Sequence, residues 1–126
     1  MKQIPRISDS EWEVLSILWK QAPLTAAQVY EALADKDWKL STVRTFLARL
    51  QQKGVVDCTE TGEAKGYFPV LSREECVQEA SQSFLDRVFE GATSALLVHF
   101  AKSKRLSARD VAELEAILNQ KRKEKK

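Results

Sequence analysis

Apolar residues at the start of the chain recur every three or four positions, which is the spacing of amphipathic helices. A first helix is predicted to begin at Ser8 or Asp9 and to end before Pro23, because acidic side chains favour a helix N-terminus and proline disfavours helical backbone before it. A second helix is predicted over residues 26–34, with Thr25 as its cap. Helices this short must bury their apolar faces against further elements to be stable.

A third helix is predicted from the cap Ser41 to about Lys53, and Gly54 marks its end. One side of this helix is an apolar stripe made of Val43, Phe46, Leu47 and Leu50. The opposite side carries small side chains with hydroxyl, methyl or amide groups, namely Ser41, Thr45, Ala48 and Gln52. The stripe is expected to face a core, which leaves the other side exposed.

The hydrophobic period changes after Gly54. Two segments rich in β-branched and aromatic residues, 55–61 and 65–70, flank the turn sequence Thr61-Gly62-Glu63 and predict a β-hairpin. Two strands alone are marginally stable in water, so the hairpin must pack on the helices before it. Three helices followed by a two-stranded wing is the element order of a winged helix-turn-helix.

The rest of the chain is predicted to be helical. Ser72 and Glu75 have the spacing of a capping box and begin a long helix that ends near Glu90. A fifth helix is predicted over residues 93–103, and a sixth begins at Ser107 and runs into a basic tail. Because the N-terminal elements already form a core, the apolar residues of these helices are expected to form a homodimer interface. The expected interface residues are Val77, Phe84, Val88, Leu96, Leu97, Phe100, Leu114 and Leu118.

The expected fold class is therefore mainly α with a small β-hairpin. An N-terminal winged helix-turn-helix domain is predicted over residues 1–71, and a C-terminal helical dimerisation domain with a basic tail over residues 72–126. A length of 126 residues fits one domain or two small ones and excludes a large multidomain enzyme. Neither a signal peptide nor a membrane segment is recognisable, so a cytoplasmic location is expected.

The net charge of +2 does not identify a nucleic-acid binder, because basic and acidic residues balance over most of the chain. Local clustering is more informative: residues 35–53 hold five basic and two acidic side chains. Arg44 and Arg49 flank the exposed side of the third helix. Arginine can bind guanine or phosphate, and threonine and alanine methyl groups can contact thymine, so this side suits the major groove of DNA. An ordinary solvated helix face is the alternative, and the hairpin that follows favours DNA.

The sequence shows few of the residue patterns that are typical of enzymes. Cys58 and Cys76 lie 18 positions apart without metal-ligand spacing, and they are interpreted as reduced, partly buried thiols. The chain has one histidine, and no nucleophile lies near a base in sequence. We therefore expect a protein that is not an enzyme and needs no metal or cofactor. A winged-helix module that binds another protein remains the alternative from a different class.

Three segments resemble the BlaI/MecI penicillinase-repressor family: ISDSEWEVLSILW at 7–19, DWKLSTVRTFLARLQQKG at 37–54 and GYFPVLS at 66–72. The resemblance covers nearly the whole chain. It implies a homodimeric transcriptional repressor that binds a dyad operator of TACA/TGTA elements and controls a β-lactam resistance operon. A repressor of another operon that responds to another signal remains open. The resemblance also implies release from DNA when a membrane sensor protease, activated by β-lactam, leads to cleavage within the dimerisation helices.

Transferred to this sequence, the resemblance assigns operator recognition to Ser41, Thr42, Arg44 and Thr45. It assigns phosphate contacts to Arg49 and Lys53 in the same helix and to Lys65 in the wing. The family's cleavable Asn-Phe bond corresponds to His99-Phe100, where histidine replaces asparagine. The alternative to a cleavage site is that His99 is a partly buried residue of the dimer interface.

Overall fold

A computed structural model describes residues 4–62 and 64–124. The expected turn residue Glu63, the first three residues and the last two lysines of the basic tail lie outside the described residues. The described elements are, in order, α1 (Asp9–Lys20), α2 (Ala26–Ala32), α3 (Leu40–Gln52), β1 (Val56–Thr61), β2 (Ala64–Pro69), α4 (Arg73–Phe89), α5 (Thr93–Lys102) and α6 (Ala108–Glu124). The mainly α fold with a small β-hairpin is confirmed.

The chain divides into two compact units, Met1–Gln82 and Ser83–Lys126. The first unit thus includes the beginning of α4, because Cys76 is buried in the same core as the preceding elements. This structural boundary lies eleven residues after the division at 71/72 that the sequence suggested between a DNA-binding and a dimerisation domain. The functional division at 71/72 stays a prediction.

One hydrophobic core holds the N-terminal unit together. Its buried members come from α1, α2, α3, β1, the beginning of α4 and the segments that join these elements: Val14, Leu15, Leu18, Leu24, Val29, Leu33, Val43, Leu47, Leu50, Val55, Val56, Leu71 and Cys76. The three tryptophans, Trp12, Trp19 and Trp38, pack against this core. Trp19 also donates a hydrogen bond from Nε1 to the carbonyl oxygen of Leu71 at 3.0 Å, which ties α1 to the chain that leaves the hairpin.

Most helix starts agree with the sequence signals. Reciprocal capping hydrogen bonds join Ser8 to Glu11, Thr25 to Gln28, Ser72 to Glu75 and Ser107 to Asp110. The prediction that Ser41 caps α3 is wrong: the cap is Lys39, and Ser41 is the second helical residue. No side chain caps α3, so the serine that looked like a cap instead belongs to the exposed first turn. Helix α2 ends at Ala32, two residues before the expected Ala34.

The hairpin is a two-stranded antiparallel sheet in which Val56 lies opposite Pro69 and Glu60 lies opposite Lys65. The hairpin is also hydrogen-bonded to a segment outside the sheet, which the sequence did not predict. Leu24, which precedes α2, forms an isolated β-bridge with Tyr67: each backbone N–H donates to the other's carbonyl oxygen, at 3.0 and 2.7 Å. The base of the wing is therefore hydrogen-bonded to the segment before α2 and covers the core.

The C-terminal unit contains the end of α4 together with α5 and α6. None of the described residues of α5 and α6 is buried. Glu90 and Gly91 adopt positive φ values of 51° and 81°, and α4 ends at Phe89, close to the predicted end near Glu90. Helix α6 continues through the basic residues to Glu124. Among the described residues, no helix is long and apolar enough to cross a membrane.

Candidate nucleic-acid interface

The exposed side of α3 is the first part of the candidate site. Val43, Leu47 and Leu50 are fully buried and anchor one side of the helix in the core. This packing leaves the other side exposed along its whole length, as the helical period predicted: Ser41, Arg44, Thr45, Ala48, Arg49 and Gln52. Thr42 is half-buried beside this row.

Thr45 shows which chemical groups the exposed side of α3 can present to a ligand. Its hydroxyl donates to the carbonyl oxygen of Ser41 at 3.0 Å, one helical turn earlier. The donor hydrogen is therefore used within the helix, while the methyl group and the oxygen's remaining acceptor capacity stay exposed. Such a side chain suits contact with a thymine methyl group or with an amino donor on a base edge.

A cleft lies where α2, α3 and the wing meet. Its lining residues are Thr25, Ala26, Ala27, Arg44, Ala64, Lys65 and Tyr67, and its volume is about 360 Å³. Lys65 and Tyr67 are two positions apart on β2, so they face the same side of the hairpin. The cleft brings together Arg44 and Lys65, two of the expected site residues that are 21 positions apart in the sequence.

Lys53 occupies a different position. It is the C-terminal cap of α3, and its Nζ donates to Glu11 Oε1 at 2.6 Å and to the carbonyl oxygen of Arg6 at 2.8 Å. Only 1% of the Glu11 side chain is exposed, against 31% of the Lys53 side chain. The structure thus places this ammonium group in an ion pair that ties α3 to the start of α1. It does not bring Lys53 into the cleft that holds Arg44.

Glu11 is an ionised group in a buried setting. Burial alone would raise its pKa, but hydrogen bonds from Lys53 and Ser8 outweigh burial and hold the pKa of this carboxyl below its ordinary value. The backbone N–H of Ser8 donates to Oε1 at 2.8 Å. The second oxygen, Oε2, is buried without a hydrogen-bond partner among the described residues. The hydrogen bonds from Lys53 and Ser8 therefore keep the Glu11 carboxylate ionised inside the fold.

The site has parts that the sequence did not reveal. Thr25 and Tyr67 line the cleft, yet the sequence suggested only a helix cap for Thr25 and a strand position for Tyr67. The β-bridge between Leu24 and Tyr67 brings Thr25 and Tyr67 close together. It joins segments that are distant in the sequence, so no local spacing predicts it. The Glu11–Lys53 pair joins residues 42 positions apart and left no periodic signal either.

The expected dimer and cleavage residues lie in the C-terminal unit, with one exception. Val77 is half-buried and belongs to the part of α4 that lies in the N-terminal unit. Leu96 and Leu114 are half-buried, whereas the other expected interface residues are exposed: Phe84, Val88, Leu97, Phe100 and Leu118. His99 lies in α5 between two aromatic rings, with its ring centroid 6.4 Å from that of Phe89 and 5.4 Å from that of Phe100.

The chain resembles known proteins over nearly its full length. The family model described as Penicillinase repressor matches residues 7–120. A penicillinase repressor from Bacillus licheniformis is 32% identical over 100% of this chain and 99% of its own length. The methicillin resistance regulatory protein MecI from Staphylococcus aureus (strain N315) is 31% identical over 91% of this chain and 94% of its own length.

Solved structures agree with this relationship. The monomeric form of Bacillus licheniformis BlaI in complex with the blaP half-operator superposes with a TM-score of 0.52 at 33% identity, over 60% of this chain and 93% of that chain. MarR from Escherichia coli, at 22% identity and a TM-score of 0.51, shares the fold. The winged-helix architecture is thereby confirmed, and the chain belongs to the penicillinase repressor family of DNA-binding repressors.

Proposed function

We propose that this protein is a homodimeric transcriptional repressor that binds a dyad operator built on TACA/TGTA elements. The observation that carries the proposal is the exposed side of α3, which is anchored in the core by its apolar stripe and lies beside a basic wing residue. Ser41, Thr42, Arg44 and Thr45 are proposed to contact bases, and Arg49 and Lys65 to contact phosphates. The phosphate contact that the resemblance implies for Lys53 stays a prediction beside its ion pair with Glu11. Relatives with 31% and 32% identity support this function, as does the half-operator complex of BlaI.

Salt dependence of DNA binding tests this proposal against a protein-binding module. The affinity of a DNA-binding protein falls with salt because each neutralised phosphate releases counterions, with a slope near 0.9 in log affinity against log salt for each contact. We expect tight binding to a duplex with the TACA/TGTA dyad, weaker binding to a random duplex, and a steep salt slope on both. Equal affinity for the two duplexes would argue against a sequence-specific repressor, and no binding to either would favour the protein-binding alternative.

Homodimerisation is proposed from the surface of the C-terminal helices. Large apolar side chains that a soluble monomer would leave in water recur on all three of them: Phe84, Val88, Leu97, Val98, Phe100, Val111, Ile117 and Leu118. Contiguous exposed apolar surface marks a site of protein association. A second copy of the chain is the proposed partner, because an isologous contact buries the same surface on both copies.

Analytical ultracentrifugation of a charge variant tests the dimer. Leu97→Glu places a carboxylate on the exposed apolar surface, so we expect a monomer at micromolar concentration. Operator binding should be much weaker, because the two DNA-binding units are no longer linked to one another. Lys102→Glu, on the same helix, is the matched control and should leave the dimer intact. A wild-type chain that sediments as a monomer would refute the proposal.

The regulated genes and the signal are proposed from the family alone. A β-lactam resistance operon is the proposed target, with control of another operon as the alternative, and a membrane sensor protease acts indirectly on the repressor. Cleavage is proposed at His99-Phe100, within α5. A helix must unfold locally to enter a protease cleft, so cutting should be faster off DNA and should remove dimer contacts while sparing the N-terminal unit.

N-terminal sequencing of fragments after induction tests the cleavage site. A new terminus at Phe100 is expected, and His99→Asn, which restores the family's residue, should be cut at the same bond. Relief of repression with an intact chain would refute cleavage as the route of release. Repression that responds to a different signal would assign the protein to another operon.

A further inference from the structure

The cleft between α2, α3 and the wing has a chemical character that the exposed side of α3 lacks. Two cationic side chains, Arg44 from α3 and Lys65 from β2, line the same space. Both belong to exposed residues, so their charged groups can meet a ligand from solvent. Two positive charges that converge from separate elements form a site for an anion, whereas cations spread along one helix form only a diffuse field.

Thr25 adds a neutral donor to the cleft. Its Oγ1 accepts the backbone N–H of Gln28 at 3.2 Å, which uses the oxygen as an acceptor and leaves the hydroxyl hydrogen free to donate. Arg44, Lys65 and Thr25 together present hydrogen-bond donors to one space. A phosphate group, which accepts several hydrogen bonds and carries negative charge, matches this set of donors.

The walls of the cleft are fixed relative to one another. The Leu24–Tyr67 bridge joins the chain just before Thr25 to the strand residue two positions after Lys65. Arg44 lies beside Val43, which is fully buried. Because each wall is attached to the core, the backbone positions from which the two cationic side chains extend are held relative to one another. This attachment lowers the backbone entropy that is lost on binding.

We propose that this cleft binds one backbone phosphate of the DNA in each half-site, held jointly by Arg44, Lys65 and Thr25. The inference rests on the proposed DNA-binding function and changes the role of one residue within it. In this assignment Arg44 contacts the DNA backbone and fixes how deeply α3 enters the major groove. The small side chains around Thr45 then recognise the base sequence. Lys65 on the wing then acts on the same phosphate as α3.

Methylphosphonate substitution tests this assignment, because it removes the charge of one phosphate at a time. The full-length protein is titrated with a set of duplexes that carry the TACA/TGTA dyad, each with one neutral linkage. For the wild type, we expect one position in each half-site where the substitution weakens binding by about tenfold, the worth of a charge-assisted contact. For Arg44→Ala and for Lys65→Ala, that same position should become several-fold less sensitive.

Arg49→Ala is the matched control, since Arg49 is an exposed arginine of α3 that does not line the cleft. It should keep the sensitivity of the cleft position and lose sensitivity at a different phosphate. Thr25→Val, which keeps the shape and removes the hydroxyl, should reduce sensitivity at the cleft position by less than either cation variant. Circular dichroism of each variant confirms that it is folded.

Three results would overturn the inference. Loss of sensitivity at two different phosphates for Arg44→Ala and Lys65→Ala would show that the two cations do not share one. A change of base preference at a single base pair, with unchanged phosphate sensitivity, would make Arg44 a base contact. Displacement of DNA by inorganic phosphate beyond the effect of chloride at equal ionic strength would assign the cleft to a free anion. Absence of any binding to the dyad duplex would instead refute the proposed function.

Discussion

Replacing Lys53 with methionine keeps an unbranched apolar stem and removes the ammonium group at its end. In the wild type, that group donates to the Glu11 carboxylate at 2.6 Å and to the carbonyl oxygen of Arg6 at 2.8 Å. The variant removes the cation that pairs with a carboxylate of which only 1% is exposed. Removal of one member of a buried ion pair costs more than the pair itself contributes, because the remaining charge stays desolvated.

The expected loss follows from the burial of the two partners. Breaking a fully buried pair costs about 3–5 kcal/mol. Since 31% of the Lys53 side chain is exposed, water screens this pair in part, and we expect about 2–3 kcal/mol for Lys53→Met. Glu11→Gln keeps a hydrogen-bond acceptor beside Lys53 and should cost about 1 kcal/mol. The double variant should lose less than the sum of the two single losses.

Urea unfolding of the full-length protein, at one fixed protomer concentration, measures all four free energies of the cycle. The pH dependence identifies the ion pair as the cause. In the wild type the pKa of Glu11 is lowered, so its stabilising contribution is complete above the ordinary value of 4.5 and is lost as the pH falls through the lower folded-state value. In Lys53→Met, burial favours the protonated carboxyl, so the deficit relative to the wild type should shrink between about pH 7 and about pH 5.

One result would refute this reasoning. A deficit that stays constant with pH would show that the lost hydrogen bond to the carbonyl oxygen of Arg6, rather than the charge of Glu11, is responsible. A salt titration of the same folded variant tests the phosphate contact that the resemblance implies for Lys53, because loss of that contact should lower the salt slope of DNA binding by about one unit.

Three further outcomes are expected. Burial, together with the charge of Glu75, raises the pKa of the Cys76 thiol, so iodoacetamide should label half-exposed Cys58 first and Cys76 only after unfolding, as peptide mass spectrometry would show. Trp19→Phe removes the hydrogen bond to Leu71 and should lower the free energy of unfolding by about 1 kcal/mol in urea titrations. Leu47→Ala opens a cavity in the core and should cost about 2–5 kcal/mol in the same assay, and a smaller loss would indicate that the core collapses around it.

Local signals in the sequence account for most of the fold. Side chains three or four positions apart set the helix caps and the apolar stripes, so the sequence predicts Thr25 as a cap and Val43 as a core residue, and the structure confirms both. Ser41 was misassigned because serine is favoured at helix caps, whereas the backbone here turns into α3 two residues earlier at Lys39. A cap preference is weak evidence when the neighbouring backbone can also begin a helix.

The candidate site was only half visible because its parts are joined by contacts between distant segments. Periodicity identified the exposed side of α3 within one helix. It could not show that Arg44 shares a cleft with Lys65, or that Lys53 pairs with Glu11, because each of these depends on how separate elements pack. Charge type alone made Lys53 and Arg49 look equivalent. The structure separates them: the ammonium of one is bound within the fold, and the other is exposed.

The bridge between Leu24 and Tyr67 also bears on how the N-terminal unit opens. A two-stranded hairpin is marginal by itself, so the wing gains its stability from this bridge and from its contact with the core. Amide protons of the hairpin and of α1–α3 should consequently exchange with deuterium through one shared cooperative opening. We therefore expect the wing and the helices to unfold together, so that the N-terminal unit meets DNA either with its wing in place or unfolded.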